Sequence, residues 1–276
     1  MSSYRTREKR EQTEKFKLIA GIAVFSFIIV GAIIFAVPQL LEDKIEYDKQ
    51  TGCPIGTNGR IAPVAHTVVL IDETDQLTIH QKEFMETYLR NFVRKDLRVG
   101  EFLSIYALGD DVQGSRKPIF EMCKMRDGSD ADAFTENEKL MTRQFKKKFE
   151  APLNRKFEDL MTPRSAASQS PIFEMIQAIA VNSFLKHDVE GDRRLIIYSD
   201  MLQHTNKYSL YKTMDYENFR RSKYFGEVSF RLPDTEVYLY VFNTQSSYHQ
   251  NKLIEFWKQF FKEKGAYLNH VESTGR

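Results

Sequence analysis

Two short apolar runs decide how this chain folds: Thr67-Val68-Val69-Leu70-Ile71-Asp72 and Leu195-Ile196-Ile197-Tyr198-Ser199-Asp200. Both are continuous rather than alternating, and both end in a carboxylate. A strand with one wet face alternates apolar and polar residues; a run without alternation is a strand covered on both faces. Phe102 to Leu108 and Val237 to Phe242 have the same character. Pro118 to Met125 reads as a further strand on or near an edge, because proline has no N–H for a central ladder.

Helical periodicity fills the gaps between the runs. Ile79, Phe84, Tyr88, Leu89 and Phe92 predict a helix over 77–94. Phe145, Phe149, Leu153 and Phe157 recur every fourth residue, giving the charged stretch 134–161 one apolar stripe, with a break expected at Pro152. Pro171 to Leu185 reads as a helix with proline in its first turn and Ser168 or Ser170 as its cap. Lys252 to Lys264 reads as an amphipathic helix. Strands alternating with helices predict an α/β fold, a doubly wound, mainly parallel sheet with helices on both faces.

In such a sheet the carboxyl ends of parallel strands share one edge, where ligands bind. Asp72 and Asp200 can therefore meet there, with Thr74, Asp75, Ser168, Ser170 and Ser199 around them. Carboxylates and hydroxyls with no nearby cysteine make a hard oxygen site, suited to Mg²⁺ first and to Ca²⁺ or Mn²⁺ next. The alternative is that the two aspartates only satisfy backbone N–H groups at the strand ends.

With these residues the sequence resembles a von Willebrand factor A-type domain over about 66–265. Asp72-Glu73-Thr74-Asp75-Gln76 stands where that family has its Asp-x-Ser-x-Ser motif, with Gln76 in place of the second Ser. Ser168-Gln169-Ser170 looks like the second loop, Ser168 being the preferred match. Asp200 looks like the last ligand, with Met201 where a Gly often follows. The resemblance implies a degenerate metal-ion-dependent adhesion site formed by Asp72, Thr74, Asp75, Ser168, Ser170 and Asp200. It also implies a non-enzymatic protein-binding module whose partner fills the open metal position with a carboxylate.

Outside this core, Leu18 to Val37 carries no charge, which predicts a transmembrane helix over 18–38 acting as an uncleaved signal anchor. The tail 1–17 has six basic and three acidic residues and is expected on the cytoplasmic side. A linker over 39–65 and a periplasmic or extracellular domain over 66–276 complete this expectation of a single-pass protein of a cell-envelope complex. The whole chain carries 40 Lys and Arg against 38 Asp and Glu, so it lacks the basic field of a nucleic-acid binder. Cys53 and Cys123, an even count in an exported domain, are expected to form a disulfide.

Two alternatives accompany the binding module. One is a metal-dependent phosphoesterase or nuclease built on Asp72, Asp75, Asp200 and His204. The other is a structural envelope subunit without metal. The other histidines (His66, His80, His187, His249 and His270) lack metal-binding spacing, and no Gly-x-Ser-x-Gly, P-loop or dinucleotide motif occurs. Residues 201–233 interleave Tyr and Phe with Arg and Lys, which reads either as a recognition surface involving Arg220, Arg221 and Tyr224 or as a connection packed by its own aromatics.

Overall fold

The computed structural model describes residues 25–31, 45–109, 111–132, 136–162, 166–242 and 247–274. Glu46–Arg276 forms one compact unit and Met1–Ile45 another. The larger unit is built on six strands: β1 (Ala65–Asp72), β2 (Phe102–Leu108), β3 (Phe120–Cys123), β4 (Asp192–Ser199), β5 (Thr235–Phe242) and β6 (Ala266–Thr274). Their order across the sheet is β3-β2-β1-β4-β5-β6, all parallel except β3. The helices are α1 (Ile79–Asn91), α2 (Val112–Ser115), α3 (Glu138–Phe145), α4 (Ala151–Met161), α5 (Ile172–Ile179), α6 (Tyr216–Arg220), α7 (Lys223–Glu227) and α8 (Ser247–Lys264).

The unalternating strands are explained by two apolar layers. Side chains of successive residues point to opposite faces of a strand. Val68 and Leu70 of β1, Leu195 and Ile197 of β4, and Val237 and Leu239 of β5 enter one core with α5 and α8. Val69 and Ile71, Ile196 and Tyr198, and Tyr240 and Phe242 enter the other with α1 and α4. Both faces are dry here, so both registers favour apolar residues, and the buried polar exceptions are partnered, as His66 is by Ser104 and Thr67 by Glu101. Trp257, Phe260 and Phe261 of α8 are fully buried in the first core.

The predicted helix 77–94 is α1 followed by a π-helical turn, Phe92–Asp96. Thr78 caps it in a reciprocal box with Gln81. The predicted stretch 134–161 is α3, a π turn at Lys146–Glu150, and α4; its first residues, 134 and 135, lie outside the described residues. No break occurs at Pro152: the helical run 138–161 is continuous, and the proline directly follows the π turn, where the regular i→i−4 ladder is already shifted. At α5, Pro171 itself occupies the capping position, and neither Ser168 nor Ser170 caps the helix.

The expected bridge is present: Cys53 and Cys123 form a disulfide, and both are fully buried. Much of the stretch expected to be linker is packed. Tyr47 pairs with Pro54, the Cys123 N–H donates to the Thr51 carbonyl at 2.9 Å, and the Val64 N–H donates to Gly100 at 3.1 Å.

The membrane expectation is corrected. Among the described residues no helix is long and apolar enough to cross a membrane. Of the expected span 18–38 the described part is the helical stretch 25–31. Residues 18–24 and 32–38, like the tail 1–17, lie outside the described residues. The single-pass topology, the signal anchor, the lipid-bilayer contact and the envelope location derived from it therefore lose their support.

Candidate functional site

The strand order creates the site. From β1 the chain builds outward to β2 and β3, then returns to lay β4 on the other side of β1. The crevice at such a reversal, at the carboxyl ends of the strands, is where open α/β sheets bind ligands. Asp72 ends β1, and Asp200 follows the last residue of β4. Their side chains are 5% and 7% exposed.

Asp72 is surrounded by donors. Its Oδ1 accepts the Thr74 hydroxyl at 2.6 Å and the Thr74 N–H at 3.0 Å. Its Oδ2 accepts the Ser199 hydroxyl at 2.7 Å and the Ser170 hydroxyl at 3.3 Å. Asp200 Oδ1 accepts the Leu202 N–H at 2.8 Å. Neither aspartate is ion-paired to a Lys or Arg among the described residues. Burial followed by the charge of Asp72 pushes the Asp200 carboxyl up to about 8. Burial also raises Asp72, against the hydroxyls that favour its charged form. The two titrate as a pair rather than as separate groups.

Of the sequence candidates, the fold brings together Asp72, Thr74, Ser170 and Asp200, with exposed Asp75 bonded to Asp200. Ser168, the preferred match, stays exposed on its loop; Ser170, two residues on, is the one that reaches Asp72. A backbone bridge between Ser170 and His204 holds that loop in place, through bonds of 2.7 and 2.9 Å.

The expected metal set is corrected here. Among the described residues no three His, Cys, Asp or Glu are grouped to hold a metal ion. Asp72 and Asp200 supply two carboxylates, Asp75 is exposed, and the neighbouring hydroxyls of Thr74, Ser170 and Ser199 donate to Asp72. The resemblance to a metal-dependent adhesion domain and the bound divalent cation lose their support with it, and the metal-dependent hydrolase is left without a metal cluster among the described residues. A protein partner docking through its own carboxylate loses its support too, because an anion would meet Asp72 and Asp200 directly.

Sequence reading missed two features. Met201 adopts a left-handed backbone, φ 61°, at the position where the resemblance has Gly. Its N–H donates to Ser199 Oγ at 2.8 Å, and its carbonyl accepts Trp257 Nε1 at 2.9 Å, so the packing over-determines the conformation. A left-handed residue with a Cβ costs roughly 1–2 kcal/mol. Met201→Gly is therefore expected to be about 1 kcal/mol more stable than Met201→Ala by urea denaturation, reversing the usual order of the two residues. An alanine variant as stable as the glycine variant would mean the backbone there is relaxed.

The second is Tyr211. Its ring is 57% exposed and meets His204 edge-on at 5.5 Å. Burial, then the charges of Asp200, Asp75 and Asp72, push its hydroxyl up to about 12. Tyr211 also lines a cleft of about 610 Å³ between residues 210–217 and α8. Elsewhere in 201–233 the aromatics are mostly packing. Tyr224 is buried, stacks on Tyr208 at 5.7 Å and accepts a bond from Gln203, while Arg220 pairs with Glu263.

No family model matches the chain, and no curated protein matches it.

Proposed function

We propose that the domain is a non-catalytic binding module that takes an organic cation, an ammonium or guanidinium group, at the carboxyl edge of its sheet. The observation that supports this reading is the charge imbalance: two buried carboxyls at the switch crevice with no cation paired to either among the described residues. A buried carboxyl without a partner stays neutral by holding its proton. A cationic ligand supplies the missing charge and lets the proton leave. Tyr211 adds an exposed ring against His204, whose main chain pairs with Ser170, and aromatic faces attract such cations. The cleft that Tyr211 lines offers room for the rest of the ligand.

The test is a thermal-shift and calorimetric titration of the full chain with butylguanidinium, butylammonium and Mg²⁺. A ligand that binds only the native state raises the melting temperature. Both organic cations are expected to do so, and Asp200→Asn to abolish the effect. Binding should strengthen about tenfold per pH unit between roughly pH 6 and 8, because the ligand selects the ionised carboxylate. A shift with Mg²⁺ alone, or none with either organic cation, would overturn the reading.

A further inference from the structure

At the opposite edge of the sheet, two π-helical turns face each other across a cavity of about 330 Å³. One is Phe92–Asp96, which supplies Val93 and Arg94; the other is Lys146–Glu150, which supplies Lys146, Phe149 and Glu150. Buried Lys124 fixes the location. Its Nζ donates to the carbonyls of Leu97 at 2.8 Å and Arg94 at 3.1 Å, just before β2 begins. π turns recur at functional sites. Of the three in the described residues, two line this cavity and the third, Ala180–Leu185, does not.

The lining separates by chemistry. Phe149 and Leu153 are buried, and Phe145 stacks on Phe149 with ring centres 5.5 Å apart, giving an apolar floor. Several rim charges are already committed. Arg90 bonds Glu86 and Asn154, Lys124 is held by the two carbonyls, and Asp127 accepts the Ser129 N–H. Four are not committed to any described residue: Arg94 and Lys146 on the positive side, Glu138 and Glu150 on the negative. A simple anion would satisfy half of this rim and oppose the other half.

We propose that this cavity binds a zwitterion with an apolar body, the chemistry of a free aromatic α-amino acid. Its carboxylate meets Arg94 and Lys146, its ammonium meets Glu138 and Glu150, and its ring lies against Phe145 and Phe149. Small-molecule sites of this kind are mostly apolar clefts of roughly 300–1,000 Å³ with a few placed polar groups. The cavity shares no lining residue with the Asp72–Asp200 edge, so the two sites stand or fall separately.

Calorimetry on the full chain with L-phenylalanine, hydrocinnamate and phenethylamine tests the proposal. Phenylalanine is expected to bind once per chain, and each analogue, lacking one charge, about tenfold more weakly. The Arg94→Ala, Lys146→Ala double variant, altered only at exposed positions, should weaken phenylalanine about tenfold while keeping the wild-type circular dichroism. Asp200→Asn should bind phenylalanine as the wild type does. No heat with phenylalanine, equal binding of hydrocinnamate, an unaffected double variant, or loss in Asp200→Asn would each overturn it.

Discussion

Removing the Cys53–Cys123 bridge is expected to destabilise the domain by about 4 kcal/mol, the chain-entropy value for a loop of this length. The two cysteines are 70 positions apart, so the cross-link removes much of the freedom of the unfolded chain. It also joins the packed stretch before β1 to the antiparallel edge strand β3. Without it, that stretch keeps only a few main-chain bonds, such as Cys123 N–H to Thr51 and Val64 N–H to Gly100. The measurement is urea denaturation of the Cys53→Ala, Cys123→Ala double variant against the oxidised wild type. Typical domains are stable by only 5–15 kcal/mol, so such a loss lowers the denaturation midpoint steeply. A change below about 1 kcal/mol would mean that burial of the segment, rather than the covalent link, holds it to β3.

Much of the sheet was legible because burial on both faces imposes a pattern that little else produces. Val68 to Ile71 and Leu195 to Tyr198 feed two dry cores in alternate register, which forces the unbroken apolar runs. β6 was not legible for the same reason in reverse. Tyr267-Leu268-Asn269-His270 lies at an edge with only β5 beside it, so no apolar run is required there. The π turns are invisible to a search for a 3.6-residue period, since each adds a residue to one turn and leaves the apolar stripe on either side intact.

At the site, convergence of Asp72 with Asp200 followed from strand ends and parallel pairing alone. What their carboxyls do with their surroundings did not. Whether a hydroxyl points at a cation or donates to a carboxylate depends on a rotation of Thr74, Ser170 or Ser199 that residue identity does not specify. Choosing Ser168 over Ser170 failed on a two-residue difference set by the backbone bridge from Ser170 to His204, a long-range pairing with no local signal. Tyr211 was passed over because an exposed Tyr in a loop full of aromatics carries no periodicity to single it out.

The same acid pair should make the domain lose stability as the solution passes from mildly acidic to mildly alkaline. Asp200 has an ordinary value of 3.8 and is pushed up to about 8 in the folded chain, first by burial and then by Asp72. Below 3.8 it is protonated in both states. Between 3.8 and about 8 the unfolded chain releases the proton and the folded chain keeps it, so stability falls as pH rises, then levels off above 8. Asp72, also raised, acts in the same direction. His66 works the other way. It is fully buried, its Nε2 lies 3.0 Å from Ser104 Oγ, and burial, then His187 and Arg193, lower it from 6.5 to about 3. Its contribution is complete above 6.5 and is lost as pH falls towards 3. Each group alone gives a slope of up to about 1.4 kcal/mol per pH unit, so the two oppose each other between roughly pH 4 and 6.5. The expected profile is a weakened slope there, where His66 offsets part of the acid pair, then a fall of about 2 kcal/mol from pH 6.5 to 8, and a separate loss as pH drops below 4. Asp200→Asn should flatten the alkaline limb and leave the acid limb, while His66→Gln should do the reverse. A wild type whose stability is level from pH 6.5 to 8 would mean that Asp200 is already ionised in the folded chain. The proton that an organic cation is expected to displace would then not be there.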